Sequence, residues 1–396
     1  MTVAAAQAGA GLRGQRVLWA AIAAAVFLGA WVCLDHGWYA HGRIVDTPIY
    51  QGYGLQMRNG LLPYRDFSVE YPPGALPVFV APTYFGQPTV PSDYQRWFAR
   101  LMAACGLACL AFVLLSRPSR PAIIFVAFSP LLVGQVMLSR FDLWPAAFVA
   151  AAVAAFLHDR HRLGWLALAL AFVAKLYAVV LIPLAILWTL RRRGRDELVK
   201  GIAIWLVAVA AVFAPFAVLA PHGLWDGIWG QFSRPIQVES LVASLLTTFG
   251  SPHDAVSHNS VGVVGYGWLA GLTTMVELAC LVALWIGFAR GPAEADRFVR
   301  YAAGCVAAFV AFGKVLSPQY LIWLVPLVPL VRGRRGLAAS GLLALAMLVT
   351  QFWFTSARYA EYIGGYRYAP LVLSRNLLLV GILVVVAWPR RQVDRR

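Results

Sequence analysis

Charged side chains make up only 13% of this 396-residue chain, so the acids and bases that interrupt its apolar stretches are the first candidates for chemistry. Three acids stand close together in segment 35–96. They are Asp46, in Arg43-Ile44-Val45-Asp46-Thr47-Pro48, then Asp66, in Pro63-Tyr64-Arg65-Asp66, and Glu70, in Glu70-Tyr71-Pro72-Pro73-Gly74. A carboxylate in reach of a hydroxyl can take its proton as that oxygen attacks. The cations Arg65, Arg140, Lys175 and Lys314 can hold a group that carries or develops negative charge.

The elements that must position these residues follow from composition. The chain is 61% hydrophobic, with a mean hydropathy of +0.70, more apolar than one soluble core accounts for. Stretches such as Val17–Leu34 and Leu337–Phe354 hold about 18 nearly uncharged residues, enough to cross most of a hydrocarbon layer roughly 30 Å thick. Spans are expected near 17–34, 97–115, 121–137, 142–157, 163–174, 176–190, 200–220, 266–289, 299–313, 319–331, 337–354 and 371–388. The expected fold class is an all-α, polytopic transmembrane helical bundle of about 10–13 spans, with residues 1–396 as a single integral membrane domain. The first run follows Arg13 and Arg16 as a signal peptide would, but its length and the lack of a small-residue cleavage site before Asp35 make it a retained anchor.

A net charge of +16 would suggest nucleic acid in a soluble protein. Here most of the 33 basic residues fall in alternate gaps between spans: Arg13/Arg16, Arg117/Arg120, Arg160/Arg162, Arg191–Arg195 with Lys200, Arg290/Arg297/Arg300, Arg332/Arg334/Arg335 and Arg390–Arg396. The positive-inside bias assigns those gaps, and both termini, to the cytoplasm. Segments 35–96 and 221–265 then become two extracytoplasmic loops of a multi-pass cell-membrane protein, the first carrying the three candidate acids. Membrane lipids replace nucleic acid as the expected partner. The weak point is 163–190, where two short helices meeting at Lys175, or a re-entrant pair, satisfies the charges equally well.

The order of elements in the first outer loop is informative: an acid shortly after the first span, a Gly60…Pro63-Tyr64 turn, then Glu70-Tyr71-Pro72-Pro73 leading into a short apolar run. With Lys175-Leu176-Tyr177 and Lys314-Val315-Leu316-Ser317-Pro318-Gln319-Tyr320, this arrangement resembles the polyprenyl-phosphate-sugar-dependent glycosyltransferases of the GT-C fold. Within them it is most similar to family 87, the bacterial alpha-mannosyltransferases. The resemblance implies Asp46 as catalytic base, a polyprenyl-phosphate-linked sugar donor, and a glycolipid or cell-envelope glycan acceptor. It implies an inverting transfer of a hexose, most simply mannose, on the outer face. Sites for the donor phosphate and substrates are expected among Lys175, Lys314, Arg140, Arg65, Asp66, Glu70, Tyr71, Gln319, Tyr320 and His258.

Other readings of the same residues stand beside these. Asp46 could cap a helix starting near Pro48, Asp66 and Glu70 could be solvated loop acids, and Lys314 could snorkel to an interface. Arg140 and Asp142 could pair with each other. Glu277, inside an expected span, needs a partner that the sequence does not name. His222, His253 and His258 with Asp226, Glu239 and Asp254 lack metal-ligand spacing, and the cysteines Cys33, Cys105, Cys109, Cys280 and Cys305 show neither zinc spacing nor a disulfide framework. No metal and no cofactor is expected. Trp225, Trp229, Tyr266 and Trp268 suit an interfacial belt or a sugar-stacking surface. Neither a dinucleotide nor a Walker glycine pattern occurs, which argues against a nucleotide-sugar donor. The competing function is a polytopic transporter or lipid flippase, but no repeated halves are seen. The assigned sidedness predicts that a cysteine engineered into 221–265 reacts with an impermeant thiol reagent added outside intact cells; labelling only after permeabilisation would reverse the topology.

Overall fold

The computed structural model describes residues 3–257 and 260–387. His258 and the Arg390–Arg396 cluster therefore lie outside the described residues. The fold is a helical bundle: α1 (Val3–Cys33), α2 (Thr47–Arg58), α3 (Leu76–Val80), α4 (Pro91–Leu115), α5 (Arg120–Val133), α6 (Val136–Ser139), α7 (Leu143–Leu157) and α8 (His161–Ala174) form its first half. The second half holds α9 (Ile182–Leu219), α10 (Pro221–Ser233), α11 (Leu241–Phe249), α12 (Gly267–Ala289), α13 (Ala295–Phe312), α14 (Gly333–Trp353), α15 (Ser356–Gly365) and α16 (Ala369–Ala387). Two 3-10 segments, Leu176–Leu181 and Pro318–Leu324, complete the parts that matter for the site.

Each expected span coincides with helix or 3-10 structure, but the lengths differ. Among the described residues, Pro91–Leu115, Leu176–Leu219, Gly267–Ala289, Gly333–Trp353 and Ala369–Ala387 are long and apolar enough to cross a membrane. Gly194 divides the second of these, since its φ of +82° is left-handed backbone that a glycine takes without strain. The runs Arg120–Val133, Leu143–Leu157 and His161–Ala174 are shorter, of 14, 15 and 14 residues. At 1.5 Å per residue each covers roughly 20 Å, less than a full crossing. They end inside the protein, and their ends are where polar side chains collect.

Packing explains which helices are buried. α13 presents Ala302, Ala303, Gly304, Ala307, Ala308 and Ala311, all fully buried, and small residues let backbones approach closely where apolar side chains alone give no preference over lipid. It lies against α12, α16 and both 3-10 segments, while α14 packs on α16 and α8 packs between α7 and α9. α12 instead leaves Leu272, Met275, Leu278 and Ile286 exposed, the surface expected of a lipid-facing helix.

The loops hold more structure than their sequence announces. The segment 35–96 contains α2 and α3, and 221–265 contains α10, α11 and a small antiparallel sheet of β1 (Ile236–Gln237), β2 (Asp254–Ser257) and β3 (Ser260–Val263), in the order β1-β3-β2. Ile236 and Asp254 both pair with Val263. The first loop is pinned to the bundle at Gly74. A Cβ there would stand 2.5 Å from the Val173 carbonyl at the end of α8, and Trp144 Nε1 donates to the Gly74 carbonyl at 3.0 Å. Gly74→Ala is therefore expected to lower stability by about 1–3 kcal/mol through overpacking, whereas Gly29→Ala, with open space around its Cβ, should change it by less than about 0.5 kcal/mol. Thermal unfolding midpoints of the two variants in one detergent check this, and equal midpoints would remove the contact as a constraint.

Candidate active site

The short helices end on the residues with the most chemistry. α8 stops at Ala174, and Lys175 is extended (φ −160°, ψ 126°) before the 3-10 segment begins, so its side chain projects from a break rather than from a helix face. Its Nζ donates to Asp142 Oδ1 at 2.6 Å. Asp142 begins α7 yet makes no capping bond with its side chain, which is fully buried. Its Oδ1 also accepts from Trp323 Nε1 at 2.7 Å, and its Oδ2 has no hydrogen-bond partner.

Three aromatic rings surround the Lys175 ammonium, with centroids at 4.6 Å for Phe141, 5.1 Å for Trp323 and 5.3 Å for Tyr320. Their electron-rich faces partly replace water around the charge. Trp323 is sandwiched, Tyr177 and Tyr320 each stacking on it with centroids 4.0 Å apart. Lys175-Leu176-Tyr177 and the Lys314…Tyr320 stretch thus meet on one tryptophan, although they follow the ends of two helices, α8 and α13, far apart in the chain. The Lys175 side chain keeps 14% of its surface accessible.

Asp46 precedes α2 and occupies its N-cap position, but the carboxylate makes no capping bond. It forms an ion pair with Arg140 instead, and Tyr50 OH donates to its Oδ2 at 3.4 Å. Arg140 and Asp142 therefore do not pair with each other: the turn between α6 and α7 sends one charge to the first loop and the other to Lys175. Arg140 is almost wholly buried while Asp46 retains 22% of its side-chain surface, so the carboxylate can be reached from solvent but its cation cannot. The Arg140 Nε has no partner.

Tyr71 closes the near side. Its ring packs edge-on against Tyr50 and Phe141, at 5.8 and 5.1 Å, and Tyr64 OH donates to its carbonyl at 2.6 Å. Glu70 binds Arg234 at 3.3 Å, and Gln231 donates to the Glu70 carbonyl, tying the first loop to the C-terminal end of α10. The charges of Arg140 and Arg234 both reach Lys175. Asp46, Asp142 and Glu70 thus face Arg140, Lys175 and Arg234, and each buried charge has an opposite neighbour, as burial demands.

Other expected site residues are placed elsewhere. Arg65 and Asp66 pair with each other at 2.8 Å on an exposed turn, where Asp66 also accepts from the Leu62 amide. The Arg65 guanidinium, helped by that amide, holds the Asp66 carboxyl down at about 2. Lys314 donates to the Phe232 carbonyl at 2.6 Å, and the charge of Glu277 on α12 reaches it. Gln319 accepts from Ser317 Oγ within its own turn. Among the described residues no three His, Cys, Asp or Glu side chains come together to hold a metal ion.

Sequence reasoning passes over Arg234, Trp323 and a second polar centre. Glu239, buried between β1 and α11, receives a hydrogen bond from Tyr359 OH at 3.0 Å on Oε1, while Arg375 and Asn376 of α16 donate to its carbonyl at 2.8 and 3.1 Å. Arg375 was open to discovery, because a fully charged residue inside the apolar run 371–388 needs a use. Glu239 was not, because only tertiary packing buries it.

Comparison with known proteins agrees with this architecture. A family model described as mannosyltransferase (PIG-M) matches residues 278–387, from the middle of α12 to the end of α16. No curated protein sequence matches the chain. Among solved structures, the chain is similar to ArnT from Cupriavidus metallidurans bound to undecaprenyl phosphate, with 17% identity, a TM-score of 0.51, and coverage of 94% of this chain and 76% of that one. The chain is a multi-pass membrane protein with the GT-C fold of that neighbour.

Proposed function

We propose that this protein is a membrane glycosyltransferase that moves a hexose, mannose being the first choice, from a polyprenyl-phosphate donor to a glycolipid or cell-envelope glycan on the extracytoplasmic face. The observation that carries this reading is the meeting of Asp46–Arg140 with Asp142–Lys175: a reachable carboxylate beside a partly open cation, walled by aromatic rings. The PIG-M family match and the undecaprenyl phosphate bound to the ArnT neighbour support it. Segments 35–96 and 221–265 face outside in this reading, with both termini cytoplasmic, as the distribution of Lys and Arg favours.

The chemistry divides between the two pairs. The acceptor hydroxyl oxygen forms a bond to the anomeric carbon while the bond from that carbon to the phosphate oxygen breaks. Asp46 takes the hydroxyl proton, and the electron pair of the broken bond leaves on the lipid phosphate. One carboxylate and a direct displacement invert the anomeric centre, and no glycosyl-enzyme intermediate is needed. The phosphate is already anionic and gains charge as it departs, so it calls for a cation rather than a strong acid. Lys175, with Arg140 and Arg234 behind it, supplies that field. Tyr71 and Tyr320, both half-buried, offer aromatic surface to a sugar ring.

Asp46→Asn retains size but no basic carboxylate. It is expected to insert and to bind donor while transfer from a radiolabelled polyprenyl-phosphate sugar falls by about 10²–10⁴-fold. Turnover within a few-fold of wild type would exclude Asp46 as the base.

Lys175→Met alone leaves Asp142 buried without its cation, an arrangement that costs about 3–5 kcal/mol. The double variant with Asp142→Asn keeps an acceptor for Trp323 and restores charge balance. It should fold, bind the lipid-phosphate donor at least about tenfold more weakly and leave acceptor affinity nearly unchanged. Unaltered donor affinity in a folded double variant would assign Lys175 a purely structural part.

A further inference from the structure

The helix α10 shows two unlike faces. Gly223, Gly227 and Gln231 recur every four residues and fall on one stripe. Each meets the main chain of the first outer loop. A Cβ at Gly223 would strike the Tyr64 carbonyl, one at Gly227 would stand 2.5 Å from the Val69 carbonyl, and Gln231 donates to the Glu70 carbonyl. Any side chain at the two glycines would lift the helix off the loop. Leu224, on the same side, is buried. Trp225, Trp229 and Phe232 form the opposite stripe, at i, i+4 and i+7, and remain 62, 54 and 59% exposed.

The position of that aromatic stripe says what covers it. α9 is apolar enough to cross the membrane up to Leu219, and only Ala220 separates it from α10. Leu206, Val207, Val218 and Leu219 of α9 are exposed and apolar, a surface fit for lipid, and Trp225 continues it just beyond the end of the crossing. Trp268, also exposed, opens α12, a second crossing that touches α9. Tryptophan favours the level where hydrocarbon gives way to water. The rings of Trp225 and Trp229 lie parallel, within 9° and with centroids 5.7 Å apart, so each covers part of the other's face instead of offering two open faces to a sugar. A second copy of the chain fits no better. A standard interface buries about 800 Å² on each partner, and three aromatic side chains of about 150–250 Å² each, already partly covered, fall short of that.

We propose that α10 is an interfacial helix whose Trp225, Trp229 and Phe232 face lies in the outer boundary of the bilayer, while its glycine face carries the first outer loop at Tyr64, Val69 and Glu70. Exposing the aromatic face to water is unfavourable, so the helix keeps to the level of that boundary. The close contacts at Gly223 and Gly227 leave no slack, and the loop keeps that level with it. Phe216, in the last turn of α9, packs edge-on against Tyr64 at 5.2 Å and fixes the same loop from the crossing itself. The bilayer surface thus becomes one wall of the support on which Glu70 and its neighbours stand.

Spin labelling of the full chain in nanodiscs of phosphatidylcholine and phosphatidylglycerol tests both halves. With Cys33→Ser and Cys280→Ser as background, nitroxides are placed singly through Trp225→Cys, Trp229→Cys, Phe232→Cys, His222→Cys and Asp226→Cys. At 225, 229 and 232 collisions with dissolved oxygen should exceed those with a water-soluble nickel chelate, and at 222 and 226 the order should reverse. Nickel collisions in excess at 225 and 229 would show a stripe that faces water and is open to a glycan. Dipolar broadening between labels would show a second copy seated on it. Either result overturns the lipid assignment. For the loop, a nitroxide at the exposed Leu61→Cys should give a sharper, more mobile spectrum once Trp225→Ser and Trp229→Ser remove the stripe. If that pair fails to insert, Gly227→Val wedges the helix off the loop from its other face and should sharpen the spectrum in the same way, with 232 still in lipid. An unchanged Leu61→Cys spectrum beside a lipid-facing stripe would leave α10 an anchor and sink its support of the loop. Neither measurement uses sugar transfer, so a failure of the assigned chemistry leaves both results standing.

Discussion

The structure depends on placing full charges where water is scarce and giving each an opposite neighbour. Asp142 is fully buried at the head of one short helix, and Lys175 lies at the end of another. The two meet only because α7 and α8 stop short of a full crossing. Had either helix continued, the break that frees Lys175 would be lost, and Asp142 would be a lone carboxylate in an apolar bundle. An isolated buried charge of that kind is not tolerated without a partner. Helix length and charge placement are therefore one constraint seen from two directions.

From that pair the rest of the site follows outward. Trp323 shares the Asp142 oxygen with Lys175 and carries Tyr177 and Tyr320 on its two faces, so one side chain of the C-terminal half binds directly into the buried ion pair of the N-terminal half. Phe141 stands between the two ion pairs, stacked edge-on with Tyr71 and close to the ammonium. The aromatic residues exclude water while leaving the charges electrostatically supported, which lets a polar centre persist inside an apolar fold.

Much of this was legible in the sequence, and the reasons are specific. Spans and their order could be read because an apolar run long enough to cross lipid leaves little ambiguity, and Lys175 was noticed because it interrupts such a run. Asp46, Arg140 and Tyr320 were singled out by motif or by charge beside a span, and the structure pairs Asp46 with Arg140 and sets the Tyr320 ring 5.3 Å from the Lys175 ammonium. Partnership was harder to read. Arg140 and Asp142 are two positions apart and invited a local pair, yet the turn splays them toward different helices. Arg65 and Asp66, adjacent and exposed, did pair locally. Glu239 looked like any loop acid because β1, α11, α15 and α16 bury it together, and no window of sequence contains those four elements. α2 escaped as an element because its apolar residues follow no long run, although Asp-Thr-Pro marked its start.

The self-compensation of these charges has a consequence for turnover. Lys175 is already occupied by Asp142, and Arg140 by Asp46, so an incoming anion meets cations whose attraction has been partly spent on internal partners. Such a centre grips a ground-state phosphate less tightly than bare lysine and arginine would, and it releases the anion as the carboxylates reclaim their cations. Internal acids thus act as built-in competitors, trading affinity for ease of exchange. For the proposed transfer, whose lipid ligands would arrive by diffusion in two dimensions, weak holding would keep the centre from clogging with its own product.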